Sequence, residues 1–250
     1  MMILGEESMG KKIFAVFICL SLGFGILYGC AKKENGLISN TQDESSIEES
    51  RIFKVIFLDY DGTKLSIQNV EKGKAAEEPE EPKRSGYHFI GWDKLFDSIT
   101  SDLVIKAQYV QEGDPLISIE DIRTSAGTKD VDVIVSIKNN PGILGMTLEI
   151  SYDENVMKLI SASNGEAVNN ILNLTSSKQL QNGSKFVWDG QEILPEDVKD
   201  GEILMLRFEI SKDSVPGKYP VRFHYRKGDI VNTELNNLEI PIENGSIIIS

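Results

Sequence analysis

The chain has 250 residues, 40% of them hydrophobic, which is enough for one large domain or two modest ones with real cores. Its formal net charge is -13, from 26 Lys+Arg against 39 Asp+Glu, and this repels nucleic-acid phosphates and anionic headgroups alike. Nucleic acid is thereby excluded as a partner, any membrane attachment must be covalent or apolar, and the only two cysteines, Cys19 and Cys30, both lie near the N-terminus and leave no disulfide framework.

The N-terminus reads as an address. Met9-Gly-Lys-Lys opens a positive segment, Ile13 to Leu27 is apolar, and Leu27-Tyr28-Gly29-Cys30 closes it, the pattern of a bacterial signal peptide with a lipobox. The run Ile13 to Tyr28 is shorter than the roughly 20 residues a spanning helix needs. The expectation is therefore cleavage after residue 29 and acylation of the Cys30 thiol. Two acyl chains, at about 0.8 kcal/mol per buried methylene, hold a protein stably where one is marginal. The predicted location is the outer face of the cell membrane, in the cell envelope, with the membrane touched only through the lipid. Glu6 and Glu7 are out of character before such a segment and favour Met9 over Met1 as the start. Residues 30–51 are polar, Ser/Glu-rich and aperiodic, a disordered tether.

Residues 52–111 carry a small β unit. The stretch 53–60 alternates with β-branched and aromatic residues, Asp61-Gly62 supplies a turn, and 64–70 returns as a hairpin partner. A charged loop with two prolines follows over 74–86, and Tyr87 to Asp93 and Leu103 to Tyr109 read as two more strands. F-x-D-Y-D-G-T-x-L from Phe57, P-x-x-P-x-R-x-G-Y-x-F-x-G-W-D from Pro79 and I-T-S-D-L-x-I-x-A-Q-Y from Ile99 resemble the Listeria-Bacteroides, or internalin B-type, repeat. The resemblance implies a β-grasp-like module with a spacer or adhesive role. Trp92 is expected in its core, as tryptophans are mostly buried.

Beyond Glu112-Gly-Asp-Pro115, residues 112–250 form a series of alternating strands with no helical period, the pattern of a β-sandwich. Val131, Val133, Val135 and Ile137 share a face, as do Met146, Leu148, Ile150 and Tyr152, and Leu204, Leu206, Phe208 and Ile210. Tyr219, Val221, Phe223 and Tyr225 follow the same rule. Thr147, Glu149, Ser151, Arg207, Glu209, Arg222 and His224 should then face water. The runs from Val133 through Tyr152-Asp153 to Leu159, from Asp200 (DGEILMLRFEI), from Val215 (VPGKYPV) and from Asn244 (NGSIII) resemble, in order, a cohesin domain. That resemblance implies a nine-stranded jelly-roll sandwich that holds a dockerin-bearing protein in polysaccharide-degrading complexes. Matching strands point to Gly145, Thr147, Glu149, Trp188 and Asp189 as partner-binding positions. Gly145 and Thr147 stand where dockerin-binding cohesins present polar, hydrogen-bonding side chains, and Gly145 offers none.

Catalysis is not expected. The two histidines, His88 and His224, fall in different segments, and no cysteine is left for nucleophilic work once Cys30 is acylated. Metal-ligand, P-loop and EF-hand spacings are absent, so neither metal nor cofactor is predicted. Acidic pairs such as Glu120-Asp121, Asp153-Glu154 and Glu196-Asp197 sit in apparent turns, which accounts for them without a glycosidase cleft. Three readings stand: a protein-binding scaffold, a carbohydrate-binding module holding cell-wall or plant polysaccharide, and an envelope stalk. Exposed rings would favour the second, and Trp188 is the residue on which it depends.

Overall fold

Asp61-Gly62 turns the chain sharply because Gly62 takes φ +88°, while the Asp61 carboxylate accepts the Thr63 backbone N–H at 2.9 Å. The computed structural model describes residues 51–190 and 193–250. The expected signal peptide, the expected acylation at Cys30 and the expected tether up to residue 50 lie outside the described residues. The two strands flanking the turn are β1 (Ile52–Leu58) and β2 (Lys64–Glu71), antiparallel as the hairpin signature predicted. With β3 (Tyr87–Trp92) and β4 (Leu103–Gln111) they form a four-stranded sheet in the order β2-β1-β4-β3, in which β1 and β4 are parallel. Val55, Phe57, Ile99 and Ile105 make its small core. Trp92 packs edge-on against Phe57 at 4.9 Å and Phe89 at 5.3 Å, half-buried rather than central.

The alternating segments become β5 (Leu116–Ile119), β6 (Ile122–Thr124), β7 (Val131–Lys138), β8 (Ile143–Ser151), β9 (Met157–Asn164), β10 (Asn173–Ser176) and β11 (Lys185–Asp189). After a single 3-10 turn at Pro195–Asp197 come β12 (Gly201–Ile210), β13 (Gly217–His224), β14 (Ile230–Asn232), β15 (Ile242–Glu243) and β16 (Gly245–Ile249). One sheet runs β15-β5-β7-β12-β9 and the other β10-β11-β8-β13-β16-β6, with β14 also paired to β8. No α-helix occurs among the described residues, and the fold is an all-β sandwich of jelly-roll type beside a small β-grasp-like sheet.

The first and last strands of the sandwich each change sheets halfway. β5 and β15 pair in parallel in one sheet, β6 and β16 in parallel in the other. Counted as unbroken paths they leave nine strands plus the short β14, which reconciles the segment count with the expected nine. Gly245 marks the crossing. A Cβ there would lie 2.5 Å from the Glu120 carbonyl oxygen and 2.6 Å from that of Ile119, so only glycine lets the two strands pass so closely.

The predicted inward faces of β7, β8 and β12 are all buried, and they meet across the sandwich with Phe186, Val221 and Phe223. Tyr152 joins them, edge-on to Phe208 at 5.2 Å. Tyr219 and Tyr225 differ: each is half-buried, with its ring against the core and its hydroxyl donating to a rim carbonyl, Val215 and Ile240 respectively. Arg207 and Asp132 face each other across β12 and β7 in a two-point ion pair of 2.7 and 2.8 Å.

All described residues belong to one compact unit, Glu48–Ser250. Within it, His88 on β3 meets Glu243 on β15 at 3.0 Å, and Lys218 on β13 meets Glu78 at 3.1 Å.

Candidate functional site: the outer face of the β11-β8-β13 sheet

Alternation along β8 sends Met146, Leu148 and Ile150 into the core and leaves Gly145, Thr147, Glu149 and Ser151 on the outside. β11 lies antiparallel to it with Asp189 opposite Gly145, Val187 opposite Thr147 and Lys185 opposite Glu149. On the other flank His224 of β13 stands opposite Glu149. Gly145, Thr147, Glu149 and Asp189 therefore share one surface, to which Lys185, Val187 and His224 add the neighbouring columns.

Trp188 is not part of that surface. Its side chain is 1% exposed, turned inward beside Phe186, and its indole N–H donates to Asn164 Oδ1 at 2.9 Å. Asn164 in turn donates to the Leu172 carbonyl at 2.8 Å, so the indole N–H is satisfied inside the sandwich. The expectation that Trp188 meets a partner fails because it shares the parity of Phe186, and two residues along a strand return to the same face. The signal was present in Lys185-Phe186-Val187-Trp188-Asp189, where every second residue is apolar and the intervening Lys185 and Asp189 are charged.

Val187 is the residue that sequence reasoning missed. It is an apolar side chain, 39% exposed, at the middle of this polar face. Glu149 is flanked by a cation, Lys185 at 3.7 Å, and by the exposed imidazole of His224, and with Thr147, Tyr225 and Arg226 these groups line a depression of about 210 Å³. Burial raises the pKa of the Tyr225 hydroxyl, which here donates to Ile240 and is held as a structural group. The ion pair of Glu149 and Lys185 is solvent-exposed and weak, and so available for exchange with groups of a partner.

No ring lies among the exposed large apolar residues of the sandwich, which are Ile160, Val187, Leu194, Val215 and Leu235 of those described. The face offers hydrogen-bonding groups, mixed charge, one exposed aliphatic side chain and, at the depression, the half-buried ring of Tyr225. Among the described residues no group of three or more His, Cys, Asp or Glu is arranged to hold a metal ion. No described helix is long and apolar enough to cross a membrane.

The architecture is that of a jelly-roll sandwich whose β11-β8-β13 sheet turns a mixed, largely polar face outward. Residues 117–249 match the family described as the cohesin domain, more than half of the chain, and the chain belongs to the cohesin family. Residues 53–114 match the Listeria-Bacteroides repeat domain. Among solved structures, a cohesin in a type I cohesin–dockerin complex from Clostridium thermocellum is 23% identical, with 54% of this chain and 99% of that one aligned at a TM-score of 0.46. The seventh ScaB type I cohesin from Pseudobacteroides cellulosolvens is 17% identical over 54% of this chain and 92% of that one, at a TM-score of 0.46. A non-cellulosomal cohesin from the hyperthermophilic archaeon Archaeoglobus fulgidus is 17% identical over 55% and 91%, at 0.45. No curated protein matches the chain.

Proposed function

We propose that this chain is a lipid-anchored surface protein that docks an extracellular, dockerin-bearing protein on the outer face of β11, β8 and β13. Membership of residues 117–249 in the cohesin family is the observation that carries this reading, and the surface around Thr147 and Val187 suits it. Protein interfaces place an apolar centre inside a polar rim, and Val187 ringed by Thr147, Lys185, Glu149 and Asp189 has that composition. Gly145 adds no side chain to the column, and a Cβ there would meet the Val231 side chain at 3.4 Å, so the neighbouring Val231 borders that position. The N-terminal signal and Cys30 support attachment to the outer face of the membrane, with the tether and the β-grasp-like sheet holding the sandwich away from it.

Calorimetric titration of the full chain with dockerin modules from proteins secreted by the same bacterium tests this directly. At least one should bind with a Kd below about 1 μM, some 8 kcal/mol of binding free energy. Thr147→Arg and Val187→Asp should each weaken that binding tenfold or more. Uniform failure of the dockerin set, or binding indifferent to both substitutions, would refute the reading, and retention on insoluble polysaccharide instead would make the chain a glycan-binding module.

A further inference from the structure

Between the β-grasp-like sheet and the sandwich lies a cavity of about 440 Å³, lined on one side by Trp92 and Phe96 and on the other by Pro220 and Arg222 of β13. Its volume is that of a small-ligand pocket, and its walls mix apolar surface with a few polar groups. Two of its cations are already engaged: Lys94 Nζ donates to the Val104 carbonyl at 2.6 Å, and Lys218 pairs with Glu78 at 3.1 Å. Glu78 also accepts the Trp92 indole N–H at 3.2 Å, which fixes the ring in the wall.

Arg222 is different. It is half-buried on the outward side of β13, and among the described residues its guanidinium has no hydrogen-bond or ion-pair partner. Burial lowers its pKa and the charge of Asp97 opposes that, without contact between the two. A guanidinium kept partly out of water without a hydrogen-bonded anion is costly, and its planar fork suits a carboxylate or a phosphate held at two points.

The backbone beside it ends a sheet. β3 is the edge of its sheet, and an edge strand carries unpaired N–H and C=O groups along its free side. Ile90 and Gly91 of this strand line the cavity, and nothing stands within 4 Å of the position a Cβ would take at Gly91. The adjoining cavity, about 650 Å³, is lined by Glu81, Glu120, Asp121 and Glu243, so a polyanion would be repelled there. The complementary ligand is extended, has one negative charge at its end and puts an apolar group against Trp92, Phe96 and Pro220.

We propose that this groove is a second binding site, which takes the carboxyl terminus of an extended peptide with an apolar last residue: carboxylate on Arg222, last side chain against Trp92 and Phe96, backbone along the free edge of β3. Strand addition and capture of a terminal carboxylate are both common ways of reading peptides. The site is separate from the docking face and does not rest on the dockerin reading.

The test presents the full chain with two peptide libraries randomised at the last four positions, one with free carboxyl termini and one amidated. Selected peptides are then titrated and followed by indole fluorescence. Of the two tryptophans, Trp188 is buried in the sandwich, so a change reports on Trp92. Free-acid peptides with an apolar last residue should be selected and bind at least tenfold more tightly than their amides. Arg222→Gln should abolish that difference and Arg222→Lys restore part of it, while Val187→Asp on the docking face leaves it unchanged. Selection of no free-acid peptide, equal binding of acid and amide, or displacement by free glucuronate in place of peptide would overturn the proposal. The acid-to-amide comparison on the unsubstituted protein decides even if Arg222→Gln fails to fold.

Discussion

Trp188 shows how much of this protein turns on the facing of single side chains. Its indole fills the sandwich beside Phe186, and its N–H satisfies Asn164, itself bonded to the Leu172 carbonyl. Trp188→Ala should lower unfolding free energy by about 3–5 kcal/mol through the cavity left behind, measured by urea denaturation. Trp188→Phe keeps more of the packing but leaves the Asn164 acceptor without its donor, at about 1–3 kcal/mol. Asp132 carries a different test. Its carboxylate is held below the usual range by hydrogen bonds from Arg207, then by that cation's charge. A depressed carboxylate contributes stability that is full above the ordinary range and is lost as pH falls through its folded value. Asp132→Asn should therefore flatten the fall of the urea midpoint below about pH 4, with little change in the slope between pH 6 and 8. An acid limb as steep as that of the parent would show that the pair contributes nothing. The pair is partly exposed, so the effect is small.

At the scale of elements, the sandwich depends on two strands that change sheets where they run side by side. Gly245→Ala places a Cβ 2.5 Å from the Glu120 carbonyl oxygen, and backbone must move to relieve it. A loss of about 1–3 kcal/mol is expected, with the amides of β6 and β16 losing exchange protection before those of β7 and β12. A uniform loss across all strands would mean the crossing is not a local weak point. The docking face behaves oppositely. Val187 and Thr147 point outward from well-paired strands, so Val187→Asp should leave stability within about 0.5 kcal/mol while removing partner affinity.

Across the whole molecule, two separate apolar clusters are joined by the tight Glu112–Pro115 turn, in which Asp114 N–H donates to the Gln111 carbonyl and Glu112 N–H to that of Gly86. The His88–Glu243 hydrogen bond and the Lys218–Glu78 ion pair bridge the same gap, but each is partly exposed and contributes no more than about 1 kcal/mol. Replacing His88 and Lys218 together by Ala should leave the melting temperature almost unchanged and speed proteolysis at residues 112–115. A large drop in melting temperature would show that the two clusters unfold as one. For the N-terminal reading, Cys30→Ser should move the chain from the detergent phase to the aqueous phase in phase partitioning; retention in detergent would refute acylation at that residue.

Much of this architecture was legible from period alone. The faces of β7, β8 and β12, the Asp61-Gly62 hairpin and the β-sandwich class follow from alternation and turn chemistry, which are local and survive without knowledge of neighbours, while the jelly-roll came only as what the cohesin resemblance implies. The cohesin resemblance placed Gly145, Thr147, Glu149 and Asp189 on matching strands, and the structure brings them to one face. The same matching strands named Trp188, although its shared parity with Phe186 was visible in the sequence and sets it in the core. Other features required the folded molecule: the sheet changes at β5–β6 and β15–β16, the exposure of Val187, the half-burial of Tyr219 and Tyr225, and the cavity at Arg222. Each depends on which strands close against each other far along the chain. A two-residue period states that side chains alternate, and only the assembled sheets decide what each face meets.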